Sequence, residues 1–469
     1  MMTSPNSPNL LVLLCDQLQR TALEAYAGWA RTPNWSRLAG ESAVFDRFYC
    51  ATPLCVPTRP SMMTGRWPHA HGSIAFGEGY DTLNGGEELL IDRLHDAGYR
   101  VGYEGIWHIN RAEGDDRSDE YAHFNPGGFP YREHEEMMAE QGMTPGDQRG
   151  QVRTRTDDGW EEWSFSIPLP AEWTRPIREH PDMRRARAIA DFILETPPHR
   201  PFAAWCSLAA PHPPILVPEP YLSMFDPAEI DRPPGFDADL SEMPEDIGEA
   251  AGRQATRHWG WDLWARGIAA YLGYVSFADA CHEVVLEALE QSGRADDTLV
   301  IMTGDHGEML GALRIYQKGV PYDRACRLAC MLRGPGIEPG WRTQLASHVD
   351  LAPTVLELLG LEPLPAAQGR SLAPILRVPN APGPEHTFIE FNGHIRGGHH
   401  FRAAVSERFK YVYHHEDPDR DQLFDYVLDA DEMNNLADDP AYAGVREEMR
   451  SALAQWMRET GDFLELQDR

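Results

Sequence analysis

An unbroken apolar run near the N-terminus sets the strongest limit on the fold. Residues 9–15 read Asn-Leu-Leu-Val-Leu-Leu-Cys, and Asp16 and Gln17 follow directly. A strand with one wetted face alternates apolar and polar residues, so this run predicts a strand buried on both faces. Such strands belong to parallel sheets covered by helices, and ligands bind at the carboxyl ends of those strands.

Strand-like and helix-like segments alternate over most of the chain. We predict helices over residues 33–39, 87–97, 182–196, 265–292 and 351–359, and strands over 99–105, 201–209, 297–303 and 327–332. This alternation predicts an α/β fold with a mostly parallel central sheet flanked by helices. Residues 111–180 and 217–262 lack clear periodicity, and we predict that they are long loop insertions over the strand ends.

The pattern changes after about residue 383. Four short strands are predicted over residues 387–391, 400–406, 409–414 and 422–426, and an amphipathic helix over 447–460. We therefore predict a small C-terminal antiparallel sheet closed by a helix. The resulting division is an α/β catalytic domain, residues 1–382, and a small α+β subdomain, residues 383–469.

Net charge limits the classes of binding partner, and the N-terminus and the cysteine content indicate the cellular location. The formal net charge is -31, which disfavours nucleic acid and anionic membrane surfaces. An anionic substrate would need a local positive site built from a metal ion or buried Arg, Lys or His. The N-terminus lacks the features of a signal peptide, and the seven cysteines show no paired spacing, so we predict a cytoplasmic protein. The sequence does not determine the oligomeric state, and a homo-oligomer is among the alternatives.

Two pairs of metal-competent residues follow predicted strands that are nearly three hundred residues apart. Asp16 and Gln17 follow the first strand, and Asp305 and His306 follow the strand at 297–303. Oxygen ligands with one nitrogen suit a hard divalent cation such as Ca²⁺, Mg²⁺ or Mn²⁺. Acidic residues also cap strand ends without binding metal, but two such pairs at equivalent strand ends favour a metal site.

A cysteine stands at the start of a predicted helix, in the stretch Cys55-Val-Pro-Thr-Arg59. Backbone N–H groups at a helix start favour an anion, so a thiolate at residue 55 could act as a nucleophile. Arg59 lies one helical turn further on and can reach the same site. Taken alone, the stretch is equally compatible with a small buried cysteine.

Three further polar residues follow predicted strands or the Asp305 loop, namely His108, His212 and Lys318. We assign His69 and His71 to structural roles. The long insertions also carry tryptophans that could stack on a sugar or aryl group, hold a quaternary ammonium, or simply pack the loops: Trp160, Trp163, Trp173, Trp259, Trp261 and Trp264.

Together these segments resemble the type I sulfatases of the alkaline phosphatase superfamily. The stretch from Cys55 to Arg59, followed by Pro-Ser-Met-Met-Thr-Gly-Arg, has the C-x-P-x-R core of that family. Asp16 and Gly304-Asp305-His306-Gly-Glu resemble its metal-binding segments, and residues 408–413 and 423–440 resemble its C-terminal segment. The resemblance implies an alkaline-phosphatase-like large domain, a small C-terminal sheet, and hydrolysis of a sulfate ester, which is a small anionic substrate.

The resemblance also implies the site. A formylglycine-generating enzyme would oxidise Cys55 to formylglycine, an aldehyde whose hydrate is the nucleophile. One divalent metal, Ca²⁺ or alternatively Mn²⁺, would be bound by Asp16, Gln17, Asp305, His306 and the modified Cys55. Arg59 would steady the formylglycine. His108 would help to collapse the covalent intermediate, and His212 and Lys318 would hold substrate oxygens or assist the leaving group.

Some residues differ from the usual sulfatase pattern, and these differences leave an alternative substrate class open. Ile106 stands where the family's Gly-Lys-Trp-His stretch has lysine, and Gln17 and His306 stand where many sulfatases have Asp and Asn. The related phosphonate monoester hydrolases share these departures, so hydrolysis of a phosphonate monoester or phosphodiester by the same apparatus is the alternative. Two further alternatives are a non-catalytic binding protein and a hydrolase that uses the Cys55 thiolate as its nucleophile. The binding protein would keep Cys55 unmodified, and the thiolate hydrolase would not need the C-x-P-x-R spacing.

Overall fold

The computed structural model describes residues 7–143, 149–167, 169–240 and 243–467 of the 469-residue chain. The strands in chain order are β1 (Asn9–Asp16), β2 (Ala43–Tyr49), β3 (Arg100–Ile106), β4 (His123–Gly127), β5 (Arg149–Thr156), β6 (Gly159–Ser166), β7 (Ala171–Trp173), β8 (Phe202–Pro211), β9 (Leu216–Pro218), β10 (Thr298–Gly304), β11 (Arg327–Arg333), β12 (Gly340–Ser347), β13 (Thr387–Asn392), β14 (His400–Val405), β15 (Phe409–His414) and β16 (Gln422–Asp425).

The α-helices are α1 (Pro33–Gly40), α2 (Cys55–Thr64), α3 (Pro68–His71), α4 (Leu90–Asp96), α5 (Tyr131–Glu140), α6 (Pro181–Glu195), α7 (Glu245–Gly248), α8 (Ala251–Thr256), α9 (Trp261–Gln291), α10 (Asp323–Cys326), α11 (Leu351–Leu358), α12 (Ala373–Arg377) and α13 (Ala443–Thr460).

Eight strands form the central sheet, in the order β12-β2-β11-β10-β1-β8-β3-β4. Of these eight, only β11 runs antiparallel to its neighbours. The carboxyl ends of β1, β3, β8 and β10 therefore meet at one edge of the sheet. The prediction of an α/β fold with a mostly parallel central sheet is confirmed.

Strand β1 is buried along its whole length, as its apolar run predicts. Its side chains alternate between two apolar cores, because successive residues of a strand point to opposite faces. Leu10, Val12 and Leu14 pack in a core with residues of α4 and α11. Leu11 and Leu13 pack on the other face with residues of α6 and α9. Fully burying each leucine contributes about 1.5–3 kcal/mol, so this strand anchors both layers.

Helix α4 begins later than predicted, at Leu90 rather than at residue 87. The reason is a local cap. The carboxylate of Asp92 accepts a hydrogen bond of 3.0 Å from the backbone N–H of Leu89, which satisfies a donor that the first helical turn leaves free. Only the residues after this cap take up the helical conformation.

The prediction that residues 111–180 are loops throughout is wrong, because strands β4 to β7 and helix α5 lie there. The main element is the hairpin of β5 and β6, which pair from Thr156↔Gly159 outward around Asp157 and Asp158. Aspartate and glycine are common turn residues, so the stretch Asp157-Asp158-Gly159 was a turn signal available in the sequence. Residues 217–262 likewise contain α7 and α8.

The C-terminal region forms the predicted small antiparallel sheet, in the order β13-β14-β15-β16. Helix α13 covers it, with Leu453 and Trp456 packing in one core with Tyr411 and Tyr413 of β15. The small sheet and its helix confirm that part of the predicted fold. The division of the chain at residue 382 stays a prediction.

Two further observations concern the chain as a whole. Among the described residues, no helix combines the length and the apolar character needed to cross a bilayer. All seven cysteines are buried free thiols.

A buried ion pair offers a test of how the C-terminal region is held. The side chains of Arg402 in β14 and Asp462 are both fully buried, and Arg402 Nη2 lies 2.9 Å from Asp462 Oδ1. Asp462→Ala would leave the guanidinium buried without its counter-charge, so we expect the free energy of unfolding to fall by about 3–5 kcal/mol. The measurement is the chemical denaturation midpoint.

The control is Asp237→Ala, whose partner Arg232 is exposed. An exposed ion pair is worth about 0–1 kcal/mol. Equal destabilisation by the two substitutions would contradict the expectation that burial makes the Arg402–Asp462 pair important.

Candidate active site

The candidate active site lies at the carboxyl edge of the central sheet. Loops after β1, β3, β8 and β10 meet there with the start of α2. The contacts described below bring together all nine residues predicted from the sequence, namely Asp16, Gln17, Cys55, Arg59, His108, His212, Asp305, His306 and Lys318.

Arg59 in α2 holds the centre of this cluster. Its Nε donates to Asp305 Oδ2 at 3.0 Å, and its Nη2 donates to Asp16 Oδ2 at 2.9 Å. The remaining nitrogen, Nη1, donates to the Ile106 carbonyl at 2.5 Å and to Ser207 Oγ at 3.0 Å. A planar guanidinium with every nitrogen engaged has one orientation, so Arg59 fixes the two carboxylates relative to each other.

The two carboxylates differ in their tendency to ionise. Burial raises the pKa of Asp16, and the charge of Asp305 raises it further. Burial also acts on Asp305, but His306 and Arg59 outweigh it and hold the pKa of Asp305 below its usual range. Two adjacent buried carboxylates with one guanidinium between them favour a further cation nearby.

Buried polar atoms without a hydrogen-bond partner converge beside this pair. Asp16 Oδ1 and His306 Nε2 both lack a hydrogen-bond partner among the described residues, and His306 Nε2 lies 3.7 Å from Asp16 Oδ1 and from Asp305 Oδ1. His306 Nδ1 is 3.0 Å from the Gly307 carbonyl, so that nitrogen carries the proton and Nε2 presents its lone pair. Leaving such atoms unpaired is costly, and the donor set fits a divalent metal.

Gln17 connects the metal-competent residues to Lys318. It adopts a left-handed backbone conformation with φ of 63°, a strained state that is concentrated at functional sites. Its backbone N–H donates to Asp305 Oδ1 at 2.9 Å. Its side-chain oxygen accepts from Lys318 Nζ at 2.5 Å, and its side-chain amide donates to Glu308. The predicted metal ligand Gln17 thus has its oxygen on the lysine in this structure.

Cys55 is the first residue of α2 and is 1% exposed. Burial raises the pKa of its thiol, and Asp16 raises it further, so the unmodified side chain is a neutral thiol at neutral pH. One ligand atom each of Cys55, Asp16 and His108 lies within 4.8 Å of the others. The cysteine therefore borders directly on the metal-competent cluster.

His108 follows β3 with a left-handed φ of 52°. Burial lowers its pKa to about 3, with a further contribution from Arg59. Its Nδ1 is buried and has no hydrogen-bond partner in the part of the chain that the structure describes. A neutral imidazole beside Cys55 can accept a proton.

Lys318 and His212 form a second polar pair at the site. Lys318 Nζ lies 3.0 Å from His212 Nε2, and His212 Nδ1 donates to the carbonyl of Pro213. Burial, reinforced by Lys318, lowers the pKa of His212. The imidazole is therefore neutral and accepts from the ammonium. The ring of Phe129 stacks on His212 with centroids 3.9 Å apart.

Sequence reasoning gave no role to two residues at this site. Glu308 accepts from the backbone N–H groups of Leu310 and Gln317 at 2.8 and 2.6 Å, and burial raises its pKa to about 7. It lies in the quoted segment around Asp305, so a signal was available. His394 follows β13, and burial, then Lys318 and His306, lowers its pKa to about 3. No local pattern marks His394.

The histidines assigned to structural roles have partners of their own. His69 pairs with Glu390, and His71 Nε2 lies 3.0 Å from Ser61 Oγ. Among the tryptophans of the insertions, Trp163 lies 5.1 Å from His394, ring centroid to centroid. Trp259 packs edge-on against Trp264.

Comparison with known proteins identifies the family. The sequence profile of the family described as "Sulfatase" matches residues 8–361, and that of "N-sulphoglucosamine sulphohydrolase, C-terminal" matches residues 311–459. The ulvan-active sulfatase of Formosa agariphila is 25% identical over 477 residues, which cover 99% of this chain and 84% of that protein.

Two solved structures share the fold. The phosphonate monoester hydrolase of Agrobacterium radiobacter superposes with a TM-score of 0.79 at 23% identity, covering 97% of this chain and 96% of that one. A putative sulfatase from Bacteroides thetaiotaomicron superposes with a TM-score of 0.77 at 22% identity, covering 97% and 93%. Since the sulfatase profile spans most of the chain, this protein belongs to the sulfatase family and is an ester-bond hydrolase.

Proposed function

We propose that the protein hydrolyses a sulfate ester, using a formylglycine nucleophile made from Cys55 and one divalent metal ion. One observation carries this proposal. Cys55 shares a cluster with Asp16 and His108, and Asp16 also belongs to a cluster with Asp305 and His306. A nucleophile position thus directly adjoins a metal-competent position, as ester hydrolysis of this kind requires. The similarity to an ulvan-active sulfatase supports sulfate as the transferred group.

The residues present fit the metal. Within the described ranges, the buried atoms Asp16 Oδ1 and His306 Nε2 have no hydrogen-bond partner, and Asp305 completes a mainly oxygen donor set. The modified Cys55 would be a further ligand, as would Gln17 once its oxygen leaves Lys318. Such a set suits Ca²⁺, with Mn²⁺ as the alternative. When bound, the metal would supply polarisation of a sulfate oxygen.

Formylglycine would supply the nucleophilic oxygen when its aldehyde is hydrated. Cys55 occupies the first position of α2, where free backbone N–H groups and the helix dipole favour negative charge. Arg59, one helical turn after Cys55, holds the carboxylates of Asp16 and Asp305 in place by hydrogen bonds. These two residues of one helix would thereby align the nucleophile with the metal ligands.

Lys318 and His212 would act on the leaving group. The ammonium of Lys318 has two uncharged partners, Gln17 Oε1 and His212 Nε2. Its charge is thus available to offset negative charge on the leaving oxygen, and its proton can pass to the alcohol. His108 Nδ1 is unpaired and can accept a proton from a hydroxyl group bound beside Cys55.

Hydrolysis of a phosphonate monoester or phosphodiester is a second candidate. The specific observation is Ile106, whose side chain is fully buried and whose carbonyl accepts from Arg59. The position where the family has a lysine thus brings no cation to the site. The similarity to the phosphonate monoester hydrolase of Agrobacterium radiobacter supports this candidate. Sulfate monoesters and phosphodiesters each carry one negative charge, so one site can accept both.

The metal proposal predicts that Asp305→Asn loses divalent metal. The amide lacks the charge that holds a cation, and Arg59 would lose an ionic partner. Equilibrium dialysis with Ca²⁺ and then Mn²⁺ should show bound metal falling to a small fraction of the wild-type amount. The control is Asp279→Asn, a largely buried carboxylate whose partners are Asn34 and the backbone of Trp35. Undiminished metal binding by Asp305→Asn would refute the assignment.

The nucleophile proposal predicts an aldehyde at residue 55. After co-expression with a formylglycine-generating enzyme, mass spectrometry of the Cys55 peptide should show loss of one sulfur and two hydrogens and gain of one oxygen, which distinguishes the aldehyde from a serine. Cys55→Ser should reduce kcat/KM by about 10³-fold or more, because a serine ester cannot release its acid by elimination. Cys330→Ala, which removes another fully buried thiol, should retain activity. An active enzyme with unmodified Cys55 would contradict the proposal.

The transferred group can be assigned with two esters that share one leaving group. We expect kcat/KM for 4-nitrophenyl sulfate to exceed that for 4-nitrophenyl phenylphosphonate by about two orders of magnitude, with Ca²⁺ or Mn²⁺ supplied. Because the leaving group is constant, the ratio reports recognition of sulfur against phosphorus. A higher value for the phosphonate would assign the second candidate function instead.

A further inference from the structure

Six residues beside the candidate active site are linked by a chain of contacts, and we call them the collar: Phe76, His108, Phe129, His212, Lys318 and His394. Aromatic contacts make one half of it. Phe129 stacks on His212 and meets His108 edge-on, with centroids 3.9 and 5.4 Å apart. Phe76 meets His108 edge-on at 6.5 Å and stacks on His394 at 5.7 Å.

Lys318 closes the other half of the collar. Its Nζ lies 3.0 Å from His212 Nε2. The next residue, Gly319, lies against His394, since a Cβ built on Gly319 would be 3.8 Å from His394 Nδ1. The ring of contacts therefore returns to its starting point through the backbone of 318–319.

The collar forms the mouth of the site. Phe76, His108, Phe129 and His394 are half-buried, whereas Cys55 beneath them is buried. A leaving group that extends from Cys55 toward solvent on this side would lie against these rings. Flat apolar surfaces pack well against such aromatic rings.

His394 is held firmly within the collar. Its ring lies between Phe76 and Trp163, with centroids 5.7 and 5.1 Å away. Its backbone carbonyl accepts from the N–H of Phe76 at 3.1 Å, and Arg396 N–H donates to the Phe76 carbonyl at 2.8 Å. Within the described ranges, no residue makes a hydrogen bond to the ring nitrogens of His394. The imidazole offers one donor and one acceptor that the protein itself does not use.

We propose that His394 is a specificity-determining residue that forms a hydrogen bond to a hydroxyl group of the leaving alcohol, on the atom next to the ester-bearing carbon. This inference rests on the proposed function, because it places the leaving oxygen at Lys318. Gly319 joins Lys318 to His394, so His394 reaches the group adjacent to that oxygen. The substrate class is a sulfate ester of a ring-shaped alcohol with a neighbouring hydroxyl, whose flat face packs on the rings of the collar.

The test compares esters with and without that hydroxyl. One pair is aromatic, 4-nitrocatechol sulfate and 4-nitrophenyl sulfate, and the other is saturated, trans-2-hydroxycyclohexyl sulfate and cyclohexyl sulfate. His394→Phe keeps a ring between Phe76 and Trp163 but removes both nitrogens. We expect it to lower kcat/KM about tenfold for the hydroxylated esters and less than about twofold for the others. The ratio of wild type to variant cancels the intrinsic reactivity of each ester.

The two pairs distinguish the sources of the alcohol. An effect in the aromatic pair alone assigns aryl esters, and an effect in the saturated pair alone assigns esters of saturated rings such as sugars. The control is Trp341→Ala, in β12, which is 52% exposed and outside the collar and should leave every ratio unchanged. Equal losses on all four esters, or no loss on any, would overturn the assignment of His394.

Binding of the free alcohols separates this inference from the proposed function. The wild type should bind 4-nitrocatechol more tightly than 4-nitrophenol, by absorbance titration, and His394→Phe should abolish the difference. If no sulfate ester is hydrolysed but this difference holds, the proposed function fails and the role of His394 stands. If sulfate esters are hydrolysed but the difference is absent in the wild type, the role of His394 fails.

Discussion

The contact of Arg59 with Asp16 and Asp305 fixes the geometry on which the site is built. Strands β1 and β10 are parallel neighbours with Cys15 opposite Gly304, so the two carboxylates that follow are forced side by side in a dry environment. The negative charges of two neighbouring buried carboxylates repel each other, and the positive charge of the buried Arg59 guanidinium compensates them. Because that guanidinium comes from α2, the same contact that balances the charges also positions Cys55 over the strand ends.

The candidate active site contains positively charged side chains, whereas the protein as a whole is strongly negative. The chain carries a formal net charge of -31, which repels an anionic ester at long range. Arg59 offers little attraction, because it is committed to two carboxylates. Among the described residues, the hydrogen-bond partners of Lys318 are the uncharged side chains of Gln17 and His212. Under the proposed function, Lys318 and a bound metal would supply the positive charge that holds an anionic ester in this acidic protein.

The C-terminal sheet also contacts segments that border the candidate active site. Lys410 in β15 is fully buried, and its Nζ lies 2.7 Å from the Pro321 carbonyl and 3.0 Å from Asp323 Oδ1. These contacts tie the small sheet to the segment just after Lys318. The loop after β13 then brings His394 to the mouth of the site, close to Gly319. Positions far apart in the chain therefore lie on the same side of the candidate active site.

Much of the fold was readable from local patterns. The long helices and the strands buried on both faces have strong periodicity or unbroken apolar runs, and the observed bounds differ from the predicted ones by a few residues. Strands β2 and β12 were missed. Asp46 in β2 interrupts an apolar pattern and pairs with Arg327. Arg342 in β12 is buried by donating to the carbonyls of Ile375 and Leu376. Polar residues satisfied by distant partners leave no local signal.

By itself, the sequence determined the α/β architecture and picked out the residues that could bind metal, because an apolar run that ends in Asp16 has a local meaning. The position proposed for the nucleophile, Cys55, followed from the resemblance of residues 55–66 to a family motif. Only the tertiary structure decided that the oxygen of Gln17 faces Lys318 and that His394 joins the collar. Those positions depend on contacts between residues tens to hundreds of positions apart, and side-chain hydrogen bonds and ring packing fix them only once the chain has folded.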